Sequence, residues 1–162
     1  MRRLADEMGI QAPSLYKHFA DKGAIQRAVY VDYLTAMRDA LVAARESSDD
    51  PDHPLARVAR AYRAHGLGNR ELYAYVHVLP YPRAEGAEVL KDIRMQWFLA
   101  AGQSDLALAA YAFMRGMVEL EIHSLTPLGA EANGAYEHGL AAFVARAELL
   151  AATPSGARGS RQ

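Results

Sequence analysis

The stretch RLADEMGIQAPSLYKHFADK, residues 3–22, decides how this chain is interpreted. It begins with helix-forming residues whose apolar side chains recur four apart, and Gly9 then stands where helices commonly end in a left-handed residue. Pro13 fits only the first turn of a new helix, because its ring leaves no N–H to donate. The stretch therefore predicts two short helices joined by a turn at Gly9, and it sets the expectation of an all-α chain.

The second of these short helices carries polar groups on its outer faces. Leu15 and Phe19 are four residues apart, so both are expected to face the protein interior. The outward faces then carry a hydroxyl, a phenol, an ammonium and an imidazole, from Ser14, Tyr16, Lys17 and His18. Such groups can contact phosphates and base edges in the major groove of DNA. For His18 a packing role is an equally good interpretation.

The run RRLADEMGIQAPSLYKHFADK, residues 2–22, closely resembles the DNA-binding motif of the TetR family of bacterial transcriptional regulators. The resemblance implies a helix-turn-helix head that contacts double-stranded operator DNA through Gln11, Ala12, Pro13, Ser14, Tyr16, Lys17, His18 and Lys22. In the family a further helix precedes the matching run, so we expect a partial, loosely held head. The resemblance also implies a helical body that binds a small-molecule effector and forms a homodimer.

Composition sets the limits of this interpretation. The chain has 162 residues, no cysteine and a net charge of −1, so disulfides are excluded and any DNA affinity must come from local placement of charge. No apolar run approaches the roughly 18 residues that a membrane span needs. We therefore expect a cytoplasmic protein with no membrane partner.

Apolar periodicity predicts helices along the rest of the chain. The first covers residues 21–46, with Asp21 as its N-cap and a buried face formed by Ile25, Val29, Tyr33, Met37 and Leu41. Further helices are predicted from Pro54 to Gly66, then over 70–79, 85–101, 104–125 and 131–152, with Ser104 or Asp105 capping helix 104–125. We divide the chain into a head with its connecting helix (1–46), a body for ligand binding and dimerisation (47–152) and a disordered tail (153–162).

Aromatic and methionine side chains of the body form the predicted effector site. A concave apolar site with a few polar tips is typical of small-molecule pockets, and here the effector would be apolar or aromatic. For each residue taken singly, ordinary core packing is the stronger alternative; the predicted set is Tyr62, His65, Tyr73, His77, Trp97, Phe98, Phe113, Met114 and Met117. The segment 111–116 also resembles a regulatory-domain pattern called WHG, of which only Gly116 is kept, and this singles out Tyr111 and Arg115 for tests.

The last two predicted helices carry the assembly prediction. Helix 104–125 is apolar on two sides, and two copies of the final helix pair would make a four-helix interface around a two-fold axis. The predicted interface residues are Leu108, Val118, Ile122, Tyr136, Leu140, Phe143 and Ala147.

No catalytic motif is visible, so we expect no enzyme activity and no cofactor. Glu119 and His123 have a spacing that can hold a metal ion, but the sequence offers no third ligand and an ordinary surface pair is the better interpretation. The predicted function is a ligand-responsive regulator, a repressor that binds palindromic DNA as a homodimer. The alternative is a helical ligand-binding or interaction protein that does not bind DNA.

Overall fold

The computed structural model describes residues 2–9, 11–78, 84–123 and 129–153, and every regular element within these ranges is helical. The all-α prediction is therefore confirmed. The helices are α1 (Arg2–Glu7), α2 (Ala12–His18), α3 (Lys22–Glu46), α4 (Pro54–Gly68), α5 (Arg70–Val78), α6 (Ala87–Ala101), α7 (Ser104–Ile122) and α8 (Gly129–Ala152), with a 3-10 turn, Ala84–Gly86, before α6. The predicted tail lies outside the described residues except for Thr153.

Helix ends follow the local chemistry of the sequence in most places. Gly9 and Gly102 adopt φ angles of 66° and 72°, the left-handed region that glycine enters without steric cost. The Asp21 carboxylate accepts a hydrogen bond from the Ala24 N–H at 2.7 Å and so caps α3 as predicted. The predicted cap of α7 is wrong, because the helix already begins at Ser104 and its N-cap is Gln103. The Gln103 side chain makes no capping hydrogen bond.

The core forms where α3, α4, α6 and α7 meet, and α4 lies at its centre. Helix α4 packs against α3, α6, α7 and α8. Its apolar residues are spaced to reach all of these neighbours, and Leu55, Val58, Ala59 and Tyr62 are at most 1% exposed. Full burial of a large apolar side chain contributes about 1.5–3 kcal/mol, so this helix anchors the body.

Polar contacts join α4 to the last two helices. The Tyr136 hydroxyl donates to the Ala59 carbonyl at 2.6 Å, and the Arg63 guanidinium lies 4.5 Å from the centre of the Tyr136 ring. Arg63 also makes two hydrogen bonds of 2.8 Å to the Glu121 carboxylate of α7. A bidentate pair of this kind fixes the relative orientation of its two side chains as well as their distance. These contacts therefore hold α4, α7 and α8 in one arrangement.

The segment between α3 and α4 is held in place by one side chain. Arg57 donates to the carbonyls of Ala44 and Arg45, both at 2.8 Å, and to the carbonyl of Asp50 at 3.0 Å. Five guanidinium N–H donors suit this role, because the last carbonyls of a helix have no partner within it. The end of α3 is therefore coupled firmly to α4.

The head is packed much more thinly than the body. Helices α1 and α2 pack on each other, and Ala5 is fully buried between them. Leu4 and Met8, however, are 39% and 58% exposed, and Phe19 is half-buried. The Leu15 side chain lies outside the described part of the chain. Thin apolar cover is what the sequence predicts for this head.

None of the described helices is both long and apolar enough to cross a membrane.

Candidate functional site

The polar face of α2 is open to solvent. Gln11, Pro13, Lys17 and His18 are exposed, and Tyr16 is 54% exposed, an unusual position for a large aromatic side chain. Ser14 is half-buried, and its N–H donates to the Gln11 carbonyl at 2.8 Å as the helix begins. The Ala12 side chain lies outside the described residues. The face thus presents hydrogen-bond donors and an ammonium group along one short helix.

Lys22 extends this face from the next helix. It is exposed at the first position of α3, directly after the capping residue Asp21. A lysine there, beside the N–H groups of a helix start, can meet a phosphate oxygen. The acidic residues Asp6 and Glu7 of α1 are exposed as well, so the head offers placed donors and not a broad positive field.

Aromatic rings fill the centre of the body. The Tyr62 ring contacts three others edge to face, at centroid distances of 5.8 Å to Trp97, 5.7 Å to Tyr111 and 6.4 Å to Tyr73. Trp97 and Tyr111 are 5.7 Å apart, and His77 stacks on Tyr73 at 4.0 Å. Rings so arranged attract one another beyond the area that they bury. We call this group, together with Tyr33 and His65, the aromatic cluster.

The aromatic cluster reaches the connecting helix through Tyr33. Tyr33 lies in the middle of α3, and its ring centroid is 4.9 Å from that of His65 on α4. The sequence interpretation placed Tyr33 on the buried face of α3 but not in the effector site. Its one distinguishing signal was a hydroxyl among otherwise aliphatic positions of that face.

Three buried polar atoms of the aromatic cluster have no hydrogen-bond partner within the described ranges. They are the Tyr33 hydroxyl, Nε2 of His65 and Nε1 of Trp97. Leaving such a group unsatisfied costs about 1–3 kcal/mol, and most buried polar atoms are therefore paired. Three of them in one cluster mark a place where a bound molecule could be recognised by hydrogen bonds.

Burial controls the protonation of the cluster. It lowers the pKa of His65 and of His77, although a backbone group of Tyr33 opposes the shift at His65 and a backbone group of Tyr73 opposes it at His77. Burial also raises the pKa of Tyr73 to about 12, with the Tyr62 hydrogen bond acting in the opposite direction. Both effects favour the neutral forms. The cluster is therefore an uncharged, aromatic environment near neutral pH.

The structure brings together most of the predicted effector residues. Tyr62, His65, Tyr73, His77 and Trp97 belong to the aromatic cluster, and Met114 and Met117 are buried in the same core. Phe113 lies elsewhere: its ring is 5.7 Å from that of Phe143, in the contact between α7 and α8. Phe98 is 40% exposed, because it points along an open surface and not into the core.

That surface is a groove of about 620 Å³ between α6 and α7, which we call the α6–α7 groove. Trp97 and Tyr111 connect it to the aromatic cluster, and Phe98 and Leu108 flank it. Its volume falls in the range of roughly 300–1,000 Å³ that small-molecule sites occupy. Tyr111 and Arg115, the residues singled out by the WHG-like segment, both line it.

The seven predicted interface residues separate into three groups by exposure. Val118, Tyr136, Leu140 and Ala147 are at most 4% exposed within a single chain, while Ile122 and Phe143 are half-buried. Leu108, in contrast, is 68% exposed. Residues buried in their own chain have little surface left for a partner.

Nothing in the described ranges groups three or more candidate metal ligands. Glu119 and His123 approach to 3.7 Å between carboxylate and imidazole, and Glu119 also pairs with Arg115 at 3.4 Å. These are local contacts between residues four apart at the end of α7.

Comparison with known proteins supports the fold alone. Neither a protein-family profile nor a curated protein matches this sequence. Among solved structures, the chain is similar to a protein of unknown function from Rhodococcus sp. RHA1, with 23% identity and a TM-score of 0.62 over 88% of this chain and 84% of that one. The shared architecture is helical and carries no functional assignment.

Proposed function

We propose that this chain is a ligand-responsive transcriptional regulator, a cytoplasmic repressor without enzymatic activity that binds palindromic operator DNA as a homodimer. In this proposal α2 enters the major groove, and Tyr16, Lys17 and Lys22 make the principal contacts. The resemblance of residues 2–22 to the TetR motif motivates the proposal, and the open polar face of α2 supports it.

The observation that carries the proposal is the course of α3. This helix begins at Lys22 beside the polar face and passes Tyr33, which contacts His65 in the aromatic cluster. Eleven residues of helix span about 17 Å, so one rigid rod joins the two sites. A ligand that repacks the aromatic cluster can shift α3 and thereby the spacing of the heads.

Regulation then follows from a population shift. Two heads in a homodimer must meet half-sites about 34–36 Å apart, one turn of DNA. The dimer can have a head spacing that fits the operator or a different one. A ligand that binds more tightly to the second form lowers the affinity for operator DNA, and the size of the effect is set by the difference between its affinities for the two forms.

The outer faces of α7 and α8 are the surface that we propose for the dimer. Leu108, Ala112 and Gly116 are exposed on α7, and Ala142 and Leu149 on α8. Small residues such as Ala112, Gly116 and Ala142 allow two helices to approach closely, and a four-helix interface needs such close contact. Of the predicted interface residues, Leu108 is the one that reaches this surface most openly.

A second candidate is a helical ligand-binding protein that does not bind DNA. The net charge of −1 and the exposed Leu4 and Met8 of the head favour it. In that case the aromatic cluster and the α6–α7 groove would keep their ligand role, while the face of α2 would have none.

The two candidates are separated by DNA binding. We expect the chain to bind duplex DNA from upstream of its own gene at low salt in a fluorescence-anisotropy titration. Lys17→Ala should weaken binding and reduce the slope of log affinity against log salt by about one, because one phosphate contact is lost. Tyr16→Ala should weaken binding as well.

Arg146→Ala is the matched control, since it removes an exposed cation on α8, far along the chain from the head. No DNA binding by the unaltered chain, with or without candidate ligands, would exclude the repressor. Equal losses from Lys17→Ala and Arg146→Ala would show that binding is unspecific.

A further inference from the structure

We infer that the α6–α7 groove binds a carboxylate that has an apolar body, with Arg115 and Lys91 at the carboxylate. This inference rests on the proposed function, because it names the chemical class of the effector. Its basis is the distribution of charged and apolar side chains along the groove.

Two cations lie at the end of the groove away from the connection between α6 and α7. Helices α6 and α7 are joined by only Gly102 and Gln103, so they run back along each other as a helical hairpin. The start of α6 therefore faces the later part of α7. Lys91 comes from the former and Arg115 from the latter, and both line the groove. Arg94 lines it as well, from the middle of α6.

The other end of the groove is apolar. Near the connection, Phe98 of α6 and Ala107 and Leu108 of α7 line the groove, and Leu108 belongs to the proposed dimer surface as well. From Leu108 to Arg115 the helix rises about 10 Å, which sets the distance between the apolar end and the cations. A ligand that fits both ends is amphipathic.

The sign of the charge identifies the polar end of the ligand. Among the described residues, no acidic side chain lines the groove. Asp105 is exposed in the first turn of α7, at the end opposite Lys91 and Arg115. A cationic ligand would meet like charges at the polar end, whereas a carboxylate would meet opposite ones.

The present partners of two cations leave room for a ligand. Lys91 lies 3.5 Å from Glu88, and both side chains are more than 70% exposed. Arg115 lies 3.4 Å from one oxygen of Glu119. A ligand carboxylate could accept shorter hydrogen bonds of roughly 2.7–2.9 Å from a guanidinium, and such charge-assisted bonds are about twice as strong as neutral ones.

Binding in this groove would be felt in the core. Trp97 and Tyr111 line the groove, and both rings contact Tyr62 of α4. A ligand that contacts these rings can therefore shift α4, which packs against α3.

Trp97 also supplies the measurement, because it is the only tryptophan of the chain. Decanoate, decanol and decylamine share one alkyl body and differ in the charge of the head group. Titrated into the full chain below their aggregation thresholds, decanoate should change Trp97 emission saturably. Decanol should bind at least about tenfold more weakly, since it lacks the charge-assisted bonds, and decylamine more weakly still.

Variants test which cation acts. Arg115→Gln should weaken decanoate binding about tenfold or more and leave decanol binding unchanged. Lys91→Gln, at a 71% exposed side chain that does not threaten folding, should have a smaller effect of the same sign. Arg146→Gln is the control, and circular dichroism verifies the fold of each variant.

Three results would overturn the inference: no saturable response to decanoate, equal binding of decanoate and decanol, or unchanged decanoate binding by both Arg115→Gln and Lys91→Gln. These results are separable from the fate of the DNA-binding proposal. Saturable decanoate binding without any DNA binding would exclude the regulator and keep the groove. DNA binding without a decanoate response would exclude the groove inference and leave the regulator proposal in place.

Discussion

The head and the body of this chain differ in how sequence and packing are related. In the head, nearly every residue from 11 to 18 has a type and an order that suggest a role, yet Leu4 and Met8 remain exposed. In the body, Tyr62 and Tyr73 are buried almost completely, although the sequence around them has no specific motif. Specific sequence and deep packing are therefore properties of different regions in this protein.

The contrast has a physical reason. Residues that contact a partner must stay accessible, so they cannot also contribute the burial that stabilises a fold. A core, in turn, accepts many combinations of apolar side chains if volume and pattern are kept. Under the proposed function, the head would depend on the identity of its exposed groups, whereas the body depends on shape.

The largest expected effect compares one methionine in each region. Met114→Ala should destabilise the chain by about 2–5 kcal/mol, because the side chain is fully buried and leaves a cavity. Met8→Ala, at a 58% exposed side chain, should stay within about 0.5 kcal/mol. Urea denaturation followed by circular dichroism measures both, and similar losses would contradict the contrast.

An ion pair of the body should give the next largest effect. Arg63 and Glu121 are 16% and 13% exposed in their side chains, so Arg63→Ala leaves a mostly buried carboxylate without its partner and should cost about 2–3 kcal/mol. Arg60, whose side chain is 45% exposed, pairs with Glu137 at 2.8 Å. Arg60→Ala should cost at most about 1 kcal/mol after solvent screening. A loss for Arg60→Ala as large as that for Arg63→Ala would show that burial does not set the difference.

The smallest expected effect concerns pH. Burial lowers the pKa of His65, so the unfolded chain binds more protons than the folded one, and stability falls as the pH drops below the ordinary histidine pKa and through the folded value. The slope is at most about 1.4 kcal/mol per pH unit for one proton.

His65→Phe should flatten the dependence of unfolding free energy on pH in this window. The matched exchange in the head, His18→Phe, replaces an exposed side chain and serves as the control. Identical flattening by both variants would remove the assignment to burial.

Much of the fold could be predicted from the sequence because its signals are local. Asp21 supplies an N-cap, Gly102 a helix end, and the apolar repeat of residues 25–41 the buried face of α3. Helix α7 shows the limit: Ser104 and Asp105 are good capping residues, but the helix begins before they can cap it. Local residue preferences do not distinguish between helix starts that differ by one or two residues.

The predictions of the candidate sites show the same limit of local sequence signals. Five predicted effector residues do meet in the aromatic cluster, whereas Phe113 packs against Phe143 on another side of α7. Periodicity places Phe113 on an apolar face without saying which neighbour covers that face. The same ambiguity put Val118 and Tyr136 in the predicted interface, and the structure buries both within one chain.

The sequence by itself determined that the chain is helical, where most helices begin and end, and which short helix presents polar groups. These depend on capping, glycine conformation and apolar spacing, all of which act within a few residues. Only the tertiary structure decided that Tyr33 of α3 contacts His65 of α4, and that Lys91, Arg94 and Arg115 share one groove. Such neighbours are set by how helices pack in space, and the pattern within one helix does not contain that information.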